Sequence, residues 1–463
     1  MKIRELKISD IRAQICANSR CMKIHFIGIG GIGVSALARY YLKLGHNVSG
    51  SDLVETEITK ALKKEGAKIY IGKHKDSNIK KDIDFVIHTL ATTKDNPELE
   101  KAKSLKIKTK TYPQALGDLT KKYFTIAISG THGKSTTTAM AALLLIEAGL
   151  DPTVLIGTKL KEFGDSNCRL GKSKYLVIEA DEYGGAFLNY YPQIIILTAI
   201  EKEHLDYFKN ERNIFKIYKE YINHLPKEGI LILNKDDKNI LKLKSKIKFP
   251  KFKIKYYSLK QKEAKTIKKI LNVPGIHNVS NALSVFTLGK VLGIEEEIIL
   301  KALSKYKGAW RRFETIKAVL NNKKYTLISD YGHHPTEIKA TLQAAREKFG
   351  EKRIILVYQP HQYQRTKLLF NDFVGAFDEA DYLILNEIYG VIGREKGYSI
   401  SSKDIAEAIK KRWKNKKTVK FFKDQKDILK ELFKIIEKDD ILIVMGAGDI
   451  YNLTLKLKNF KTR

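Results

Sequence analysis

Short apolar runs alternate with stretches of helical spacing along nearly the whole chain, the pattern of an α/β protein built mainly on parallel sheets. Met22–Gly28 (MKIHFIG) predicts a strand running into Gly28-Ile29-Gly30-Gly31-Ile32-Gly33. Val34–Leu44 then has helical spacing, Asn47–Ser51 predicts the next strand, and Phe85–His88 a further strand of the same sheet. A second start occurs at Tyr123–Ser129 (YFTIAIS), followed by a glycine-containing turn and an Ala/Leu-rich helix through Ala148. Strand-like runs follow at Tyr175–Glu179, Ile194–Thr198 and Gly229–Asn234, whereas Lys238–Lys269 has weak periodicity and predicts surface strands and connections. After Lys307-Gly308 a third start gives strands at Tyr325–Ser329, Ile354–Tyr358, Tyr382–Asn386 and Asp440–Met445, separated by helical stretches.

These breaks predict three α/β domains: a Rossmann-like N-terminal domain (22–118), a central P-loop ATPase-type domain (119–308) and a C-terminal Rossmann-like domain (309–463). Residues 1–21 match none of these patterns and stand as an N-terminal extension. The length of 463 residues and the 43% hydrophobic content supply material for several cores and exclude wholesale disorder. No apolar run approaches the ~18–20 residues that span a bilayer, and 1–21 lacks the apolar centre of a secretory signal. The three cysteines (Cys16, Cys21, Cys168) are too scattered for a disulfide framework or a zinc site. The expectation is a soluble cytoplasmic protein without a membrane partner.

Charge changes the picture less than its size suggests. There are 85 Lys+Arg against 52 Asp+Glu, a net charge of +33, which invites a nucleic-acid reading. Only 14 of the basic residues are Arg, however, and the lysines are spread along the chain. Base and phosphate readout leans on the Arg fork. The expected surface is Lys-biased and solvated, drawing anionic substrates without specific nucleic-acid recognition.

Two motifs carry chemistry. Gly28–Gly33 satisfies G-x-G-x-x-G between a strand and a helix, and Asp52 follows at about the 20-residue spacing of a ribose-binding acid. Its glycines let backbone N–H groups approach a diphosphate at the positive end of a helix. Alone, this motif reads most often as a nicotinamide oxidoreductase. That reading leaves unexplained Gly130-Thr131-His132-Gly133-Lys134-Ser135-Thr136, a phosphate loop whose Lys134 neutralises β/γ-phosphates and whose Ser135 hydroxyl suits Mg²⁺. The loop is shortened, with Ile128 where the usual pattern has its first Gly.

With both motifs in this order, the sequence resembles the Mur ligases. Further matching runs are Glu179-Ala180-Asp181-Glu182, Glu203-His204-Leu205-Asp206, Pro274-Gly275-Ile276-His277-Asn278 with Asn281, and Arg311-Arg312-Phe313. Asp330-Tyr331-Gly332-His333-His334-Pro335-Thr336-Glu337, Gln359-Pro360-His361 and Gly446-Ala447-Gly448-Asp449-Ile450 complete the set, so the resemblance covers about residues 22 to 455. It is strongest to the alanine-adding members. The resemblance implies ATP-driven joining of L-alanine to the carboxylate of UDP-N-acetylmuramate through an acyl phosphate, with Mg²⁺, in peptidoglycan precursor synthesis, by a monomer or weak homo-oligomer.

The resemblance also implies roles for residues. ATP would be held by Gly130–Thr136, His277, Asn278, Asn281, Arg312 and Asp330, and the metal by Ser135, Glu179 and His204. Gly28, Gly30, Gly31, Gly33, Asp52 and His74 would hold the UDP substrate. Tyr331, His333, His361, Gln362 and Arg365 would hold the amino acid. Catalysis would fall to Lys134, His204, Arg312, His333 and Arg365. His74 and His334 have bland alternatives, an exposed loop histidine and a packing residue. In the run Pro360-His361-Gln362-Tyr363-Gln364-Arg365-Thr366, Gln362 stands where relatives usually carry Arg, which implies a weaker grip on a carboxylate or a changed acceptor. Tyr183-Gly184-Gly185-Ala186-Phe187 resembles the murein tripeptide (salvage) ligases of the same family, which leaves that acceptor as the alternative.

Overall fold

The computed structural model describes residues 21–248, 250–391 and 399–460, so the extension predicted for 1–21 lies, but for Cys21, outside the described residues. Cys21 is exposed, Cys168 is buried, and both are free thiols.

The first sheet contains β1 (Lys23–Ile27), β2 (Asn47–Asp52), β3 (Lys68–Ile71), β4 (Phe85–His88) and β5 (Lys108–Thr111), all parallel in the order β3-β2-β1-β4-β5. The chain reverses direction across the sheet between β1 and β4, which opens a crevice beyond the strands' carboxyl ends. The helix after β1 spans Ile32–Lys43, starting inside the glycine motif with Gly31 as its N-cap. Val34, Leu37 and Tyr40 are buried on its inner face.

The second sheet has seven strands: β6 (Phe124–Ser129), β7 (Thr153–Leu160), β8 (Ser166–Arg169), β9 (Tyr175–Ala180), β10 (Ile194–Leu197), β11 (Ile230–Asn234) and β12 (Lys253–Tyr257). Their order is β12-β11-β10-β6-β9-β7-β8, parallel except for the β7–β8 pair. Ile126, Ala127 and Ile128 at its centre are fully buried, as expected of a strand covered on both faces. One prediction is corrected. The stretch 238–269 holds helices at Lys238–Ser245 and Glu263–Ile270 around β12. Each needs only one or two apolar anchors, Ile240 and Leu243 in the first and Ile267 in the second. The Asp237 side chain caps the first by accepting from Ile240 N.

The third sheet comprises β13 (Glu314–Leu320), β14 (Lys323–Asp330), β15 (Ile354–Tyr358), β16 (Tyr382–Asn386), β17 (Thr418–Phe422) and β18 (Ile441–Met445). The order is β13-β14-β18-β15-β16-β17, with only β13–β14 antiparallel. Period-2 alternation builds a core on each face. Ile354, Leu356, Tyr358, Ile441 and Ile443 join Ile338 and Ile405 on one side. On the other, Ile355, Val357, Leu442 and Val444 join Ile428 and Leu453.

The chain forms two compact units. One contains the first two sheets and runs to Glu201, with Glu211–Ile267 and Asn281–Ser304. Within it Arg39 Nη1 donates to Asn167 Oδ1 at 2.6 Å, and the Tyr40 and Tyr123 hydroxyls lie 3.1 Å apart. The other unit is the third sheet with Lys202–Asn210 and Lys268–Ser280 added to it. No helix among the described residues is long and apolar enough to cross a membrane.

Candidate functional site

In the first unit the phosphate loop leaves β6 at Ser129. Gly130 and Gly133 have φ of +130° and +80°, conformations that exact a strain from any residue with a Cβ. A Cβ on Gly130 would also lie 2.3 Å from Thr198 Oγ1, and one on Gly133 would lie 2.5 Å from Asn281 Oδ1. The loop is pinned from β10 and the segment after it. Thr198 Oγ1 donates to the His132 carbonyl at 2.5 Å, and Thr131 N donates to the Ala199 carbonyl at 2.9 Å. Glu201 N donates to Thr131 Oγ1, and the Glu201 carboxylate lies 3.6 Å from His132 Nε2. The helix Lys134–Glu147 begins immediately after Gly133, so its N-terminal end, the positive end of its dipole, faces the loop.

Lys134 Nζ donates to the Gly130 carbonyl at 2.7 Å and to Glu182 Oε2 at 3.0 Å. Burial alone would depress this ammonium, but Glu182 and then Asp181 hold it above its ordinary range, so it stays charged. Ser135 Oγ donates to Glu179 Oε2 at 3.2 Å, and Glu179 Oε1 accepts from Gly157 N at 2.6 Å. A hydroxyl and a carboxylate at the start of a phosphate-binding helix are hard oxygen donors, the set that Mg²⁺ takes beside nucleotide phosphates. Of the three predicted metal ligands, Ser135 and Glu179 are thus brought together, while His204 belongs to the other unit.

The glycine turn of the first sheet is held by β2. Gly28 N and Ile29 N donate to the Ser51 carbonyl at 2.9 and 3.0 Å, and Gly30 N donates to Asp52 Oδ2 at 2.8 Å. Asp52 therefore fixes the turn through its carboxylate. His74 is not the exposed loop residue of the bland alternative. It is half-buried, with Nδ1 3.1 Å from Ser51 Oγ.

In the second unit, residues from the ends of β14 and β15 meet. His333 N donates to Glu337 Oε2 at 2.8 Å, and the His333 ring lies 5.5 Å from Tyr331 and 6.0 Å from His361. His361 in turn stacks on Tyr389 at 5.6 Å. Burial pushes the His333 imidazole down to about 4, with Glu337 opposing, so it is neutral near pH 7. Arg365 donates from Nη1 to the His361 carbonyl at 2.9 Å and from Nε and Nη2 to Glu203 Oε1 at 3.0 and 2.5 Å. Glu203 and Arg365 line a small pocket with Lys202, His204, Gln362 and Leu369. Gln362 is buried, with φ of +72°, and its N–H donates to the Tyr389 carbonyl.

The remaining predicted residues mostly hold backbone. Asp330 accepts from Gly332 N at 2.7 Å and Phe313 N at 2.8 Å, and burial raises its carboxyl to about 6. His334 Nδ1 accepts from Thr336 N and caps the helix Pro335–Phe349. Asn278 Nδ2 donates to the Pro274 carbonyl at 2.6 Å, and burial depresses His277 to about 4. Of the arginine pair, Arg311 is the buried one. It packs between Trp310, Tyr331 and Tyr451 at 4.7–5.6 Å and donates to the Gly446 carbonyl. Arg312 lies 5.1 Å from the Tyr331 ring.

Sequence reasoning gave no role to Glu182, Glu203, Glu337 and Arg311, although all four stood inside runs already singled out. Glu337 was visible as the third residue of a helix starting at Pro335, where a carboxylate closes a capping box.

Comparison with known proteins follows the same division of the chain. The description "Mur ligase family, catalytic domain" matches residues 23–124, "Mur ligase middle domain" 128–289, and "Mur ligase, glutamate ligase domain" 311–448. The chain is 42% identical to UDP-N-acetylmuramate–L-alanine ligase of Acetivibrio thermocellus over 93% of its own length and 94% of that protein. The chain belongs to the Mur ligase family. A second relative in the family, the enzyme of the same name from Aquifex aeolicus, is 38% identical over 93% of this chain and 96% of its own. Among solved Mur ligase structures, UDP-N-acetylmuramate-alanine ligase from Thermotoga maritima matches with a TM-score of 0.78 at 30% identity, over 94% of this chain and 98% of that one. A murein peptide ligase from Psychrobacter arcticus, 24% identical with a TM-score of 0.69 over 96% and 100%, shares the fold.

Proposed function

We propose that the chain is an ATP-dependent ligase that joins L-alanine to the carboxylate of UDP-N-acetylmuramate, with release of ADP and phosphate, in peptidoglycan precursor synthesis. The observation that carries this reading is the phosphate-loop cluster of Lys134, Ser135, Glu179 and Glu182, in a chain that also carries a glycine turn suited to a diphosphate and a third sheet followed by His333 and Arg365. The relatives of the same length that bear this activity in their names support it.

The reaction passes the γ-phosphoryl group to a muramate carboxylate oxygen, with ADP leaving. The alanine nitrogen then attacks the acyl carbon, and the tetrahedral intermediate collapses as the C–O bond to phosphate breaks and the amine loses a proton. The protein contributes charge and alignment, as in phosphoryl transfer generally. Lys134 exchanges Glu182 for the transferred phosphate, and the loop N–H groups fix the β-phosphate. Ser135 and Glu179 would hold Mg²⁺, which when bound screens the charge of the phosphate oxygens. The crevice of the first sheet takes the UDP moiety at Gly28–Gly33. The third sheet takes alanine, where the His333 imidazole, neutral near pH 7, is able to accept the amine proton.

Phosphate release is the test. It should require UDP-N-acetylmuramate, L-alanine and Mg²⁺ together. Equal release with an Ala-Glu-diamino acid tripeptide would favour the salvage activity, and no release with either acceptor would overturn the ligase reading.

A further inference from the structure

The first sheet buries a polar cluster that the reaction as described does not use. Glu98, at the start of the helix Pro97–Ser104, is fully buried. Its carboxylate accepts from Ser51 Oγ at 2.5 Å and Asn78 Nδ2 at 2.6 Å, with His25 Nε2 at 3.4 Å and His74 Nδ1 at 3.5 Å. His25 is itself fully buried, and its Nδ1 lies 2.9 Å from Ser49 Oγ. Burial would raise the Glu98 carboxyl, but the hydrogen bonds from His25, Ser51 and Asn78 hold it down at about 2, so it is ionised and can only accept.

Proton counting then fixes each partner. An ionised carboxylate requires His25 to donate from Nε2. The single Ser51 hydroxyl proton goes to Glu98, so Ser51 Oγ has only lone pairs to offer His74 at 3.1 Å. Nδ1 of His74 therefore carries a proton, so that in the neutral form of the ring the other nitrogen, Nε2, presents the lone pair. Ser51 also ties this imidazole to the nucleotide crevice, because its carbonyl accepts from Gly28 N and Ile29 N of the glycine turn. Leu53, Val54 and Ile71, exposed apolar side chains at the ends of β2 and β3, flank the same rim.

We infer that Glu98, acting through Ser51, is a positioning residue that locks His74 in the Nδ1–H form and so presents Nε2 as an acceptor to the pyrimidine base of the UDP substrate. This rests on the placement of UDP in the first crevice. An acceptor nitrogen suits the imide N3–H of uracil and meets only a lone pair at N3 of cytosine. The device therefore selects uridine over cytidine nucleotides, because a mismatched polar contact is penalised more than a matched one is rewarded.

The test uses the full-length enzyme with Glu98→Gln, Ser51→Ala and His74→Ala. The amide of Glu98→Gln can donate to Ser51 Oγ and so releases His74 from its fixed form. Glu98→Gln and Ser51→Ala should each raise the KM for UDP-N-acetylmuramate about tenfold, what one misdirected hydrogen bond costs, with kcat and the KM for ATP and L-alanine unchanged. UDP should compete better than CDP against the wild type, and this preference should shrink in both variants. On a His74→Ala background Glu98→Gln should add nothing further. Additive effects, or a wild-type KM in both variants, would overturn the inference while leaving the ligase reading intact. Imidazole ¹⁵N spectra of the free protein supply a readout independent of turnover. They should show His74 protonated at Nδ1 in the wild type and a tautomer mixture in Glu98→Gln, and an Nε2–H signal in the wild type would sink the idea. Failure of the wild type to release phosphate at all would instead count against the ligase reading.

Discussion

The Glu203 carboxylate holds Arg365 through a single oxygen, Oε1, which accepts from both Nε and Nη2 of the guanidinium. Both side chains are more than nine-tenths buried. Burial would raise the Glu203 carboxyl, yet Arg365, followed by His204, His333 and His334, holds it well below the ordinary carboxylate range. Arg365 is therefore committed before any substrate carboxylate arrives, and a substrate must share it or displace Glu203.

Removing one partner of such a pair leaves an uncompensated buried charge, at a cost of about 3–5 kcal/mol. Glu203→Gln should lower the stability of the third-sheet unit by about 3 kcal/mol in urea melts and abolish most turnover. The double variant Glu203→Leu/Arg365→Met should recover much of that stability without recovering activity. Recovery of both would show that the pair is structural only.

The phosphate loop tolerates no side chain at Gly133. Gly133→Ala places a methyl group 2.5 Å from Asn281 Oδ1 on a backbone with φ of +80°. The strain is about 1–2 kcal/mol, and the loop must shift to relieve the clash. The expected outcome is a KM for ATP raised at least about tenfold in initial-rate assays, with melting temperature lowered by a few degrees. Lys134→Ala should reduce kcat by a factor of about 10³ or more, because the charge that offsets the phosphates is gone, and should also lower stability, because it takes the ammonium away from the buried Glu182 carboxylate.

Legibility in the sequence tracked burial and periodicity. Ile354–Tyr358 and Tyr382–Asn386 were predicted residue for residue because central parallel strands are continuous apolar runs. β13 escaped because its pattern, Glu314-Thr315-Ile316-Lys317, is half polar, as an edge strand's must be. The signal that would have found it is Asn321-Asn322, a two-residue turn with φ of +49° and +61° that joins Leu320 to Lys323. At the site, the phosphate-loop motif pointed to Lys134 and Ser135 because the loop is local in sequence, whereas Glu179 entered only through the family resemblance. Glu98 was invisible. Its partners His25, Ser51 and Asn78 come from three separate segments, and only the folded sheet brings them to one carboxylate.

Acid should loosen the third-sheet unit between pH 6.5 and 4. His277 and His333 are depressed to about 4 from 6.5, chiefly by burial. Unfolding between those values takes up protons, so the stability they contribute is present above pH 6.5 and is lost as pH falls towards 4. Each imidazole removes up to about 3 kcal/mol over that window. Asp330, raised by burial to about 6, acts in the opposite sense, because the folded state holds its proton more tightly and gains up to about 3 kcal/mol on the same descent. Urea midpoints at pH 7, 5.5 and 4 should therefore fall by a net of about 3 kcal/mol. In His333→Asn most of that fall should vanish, and an unchanged slope would show that His333 is not the group being titrated.

Gln362 stands where the resemblance to the Mur ligases implies an Arg, and its surroundings say what an Arg there would do. The side chain is buried beside Lys202 and Arg365, on a backbone at φ of +72° that is anchored by Tyr389. An arginine there would add a third cation to a pocket that already holds two against one carboxylate, Glu203. In the free enzyme that arrangement is repulsive, so Gln362→Arg should cost about 1–2 kcal/mol of stability in denaturant melts. With an amino-acid carboxylate bound, the added fork gains a partner, and a charge-assisted pair outweighs an amide contact by about 1 kcal/mol or more. Gln362→Arg should therefore lower the KM for L-alanine severalfold while the KM for ATP stays where it is. A lower stability with an unchanged alanine KM would place the position behind the amino-acid site instead of facing it.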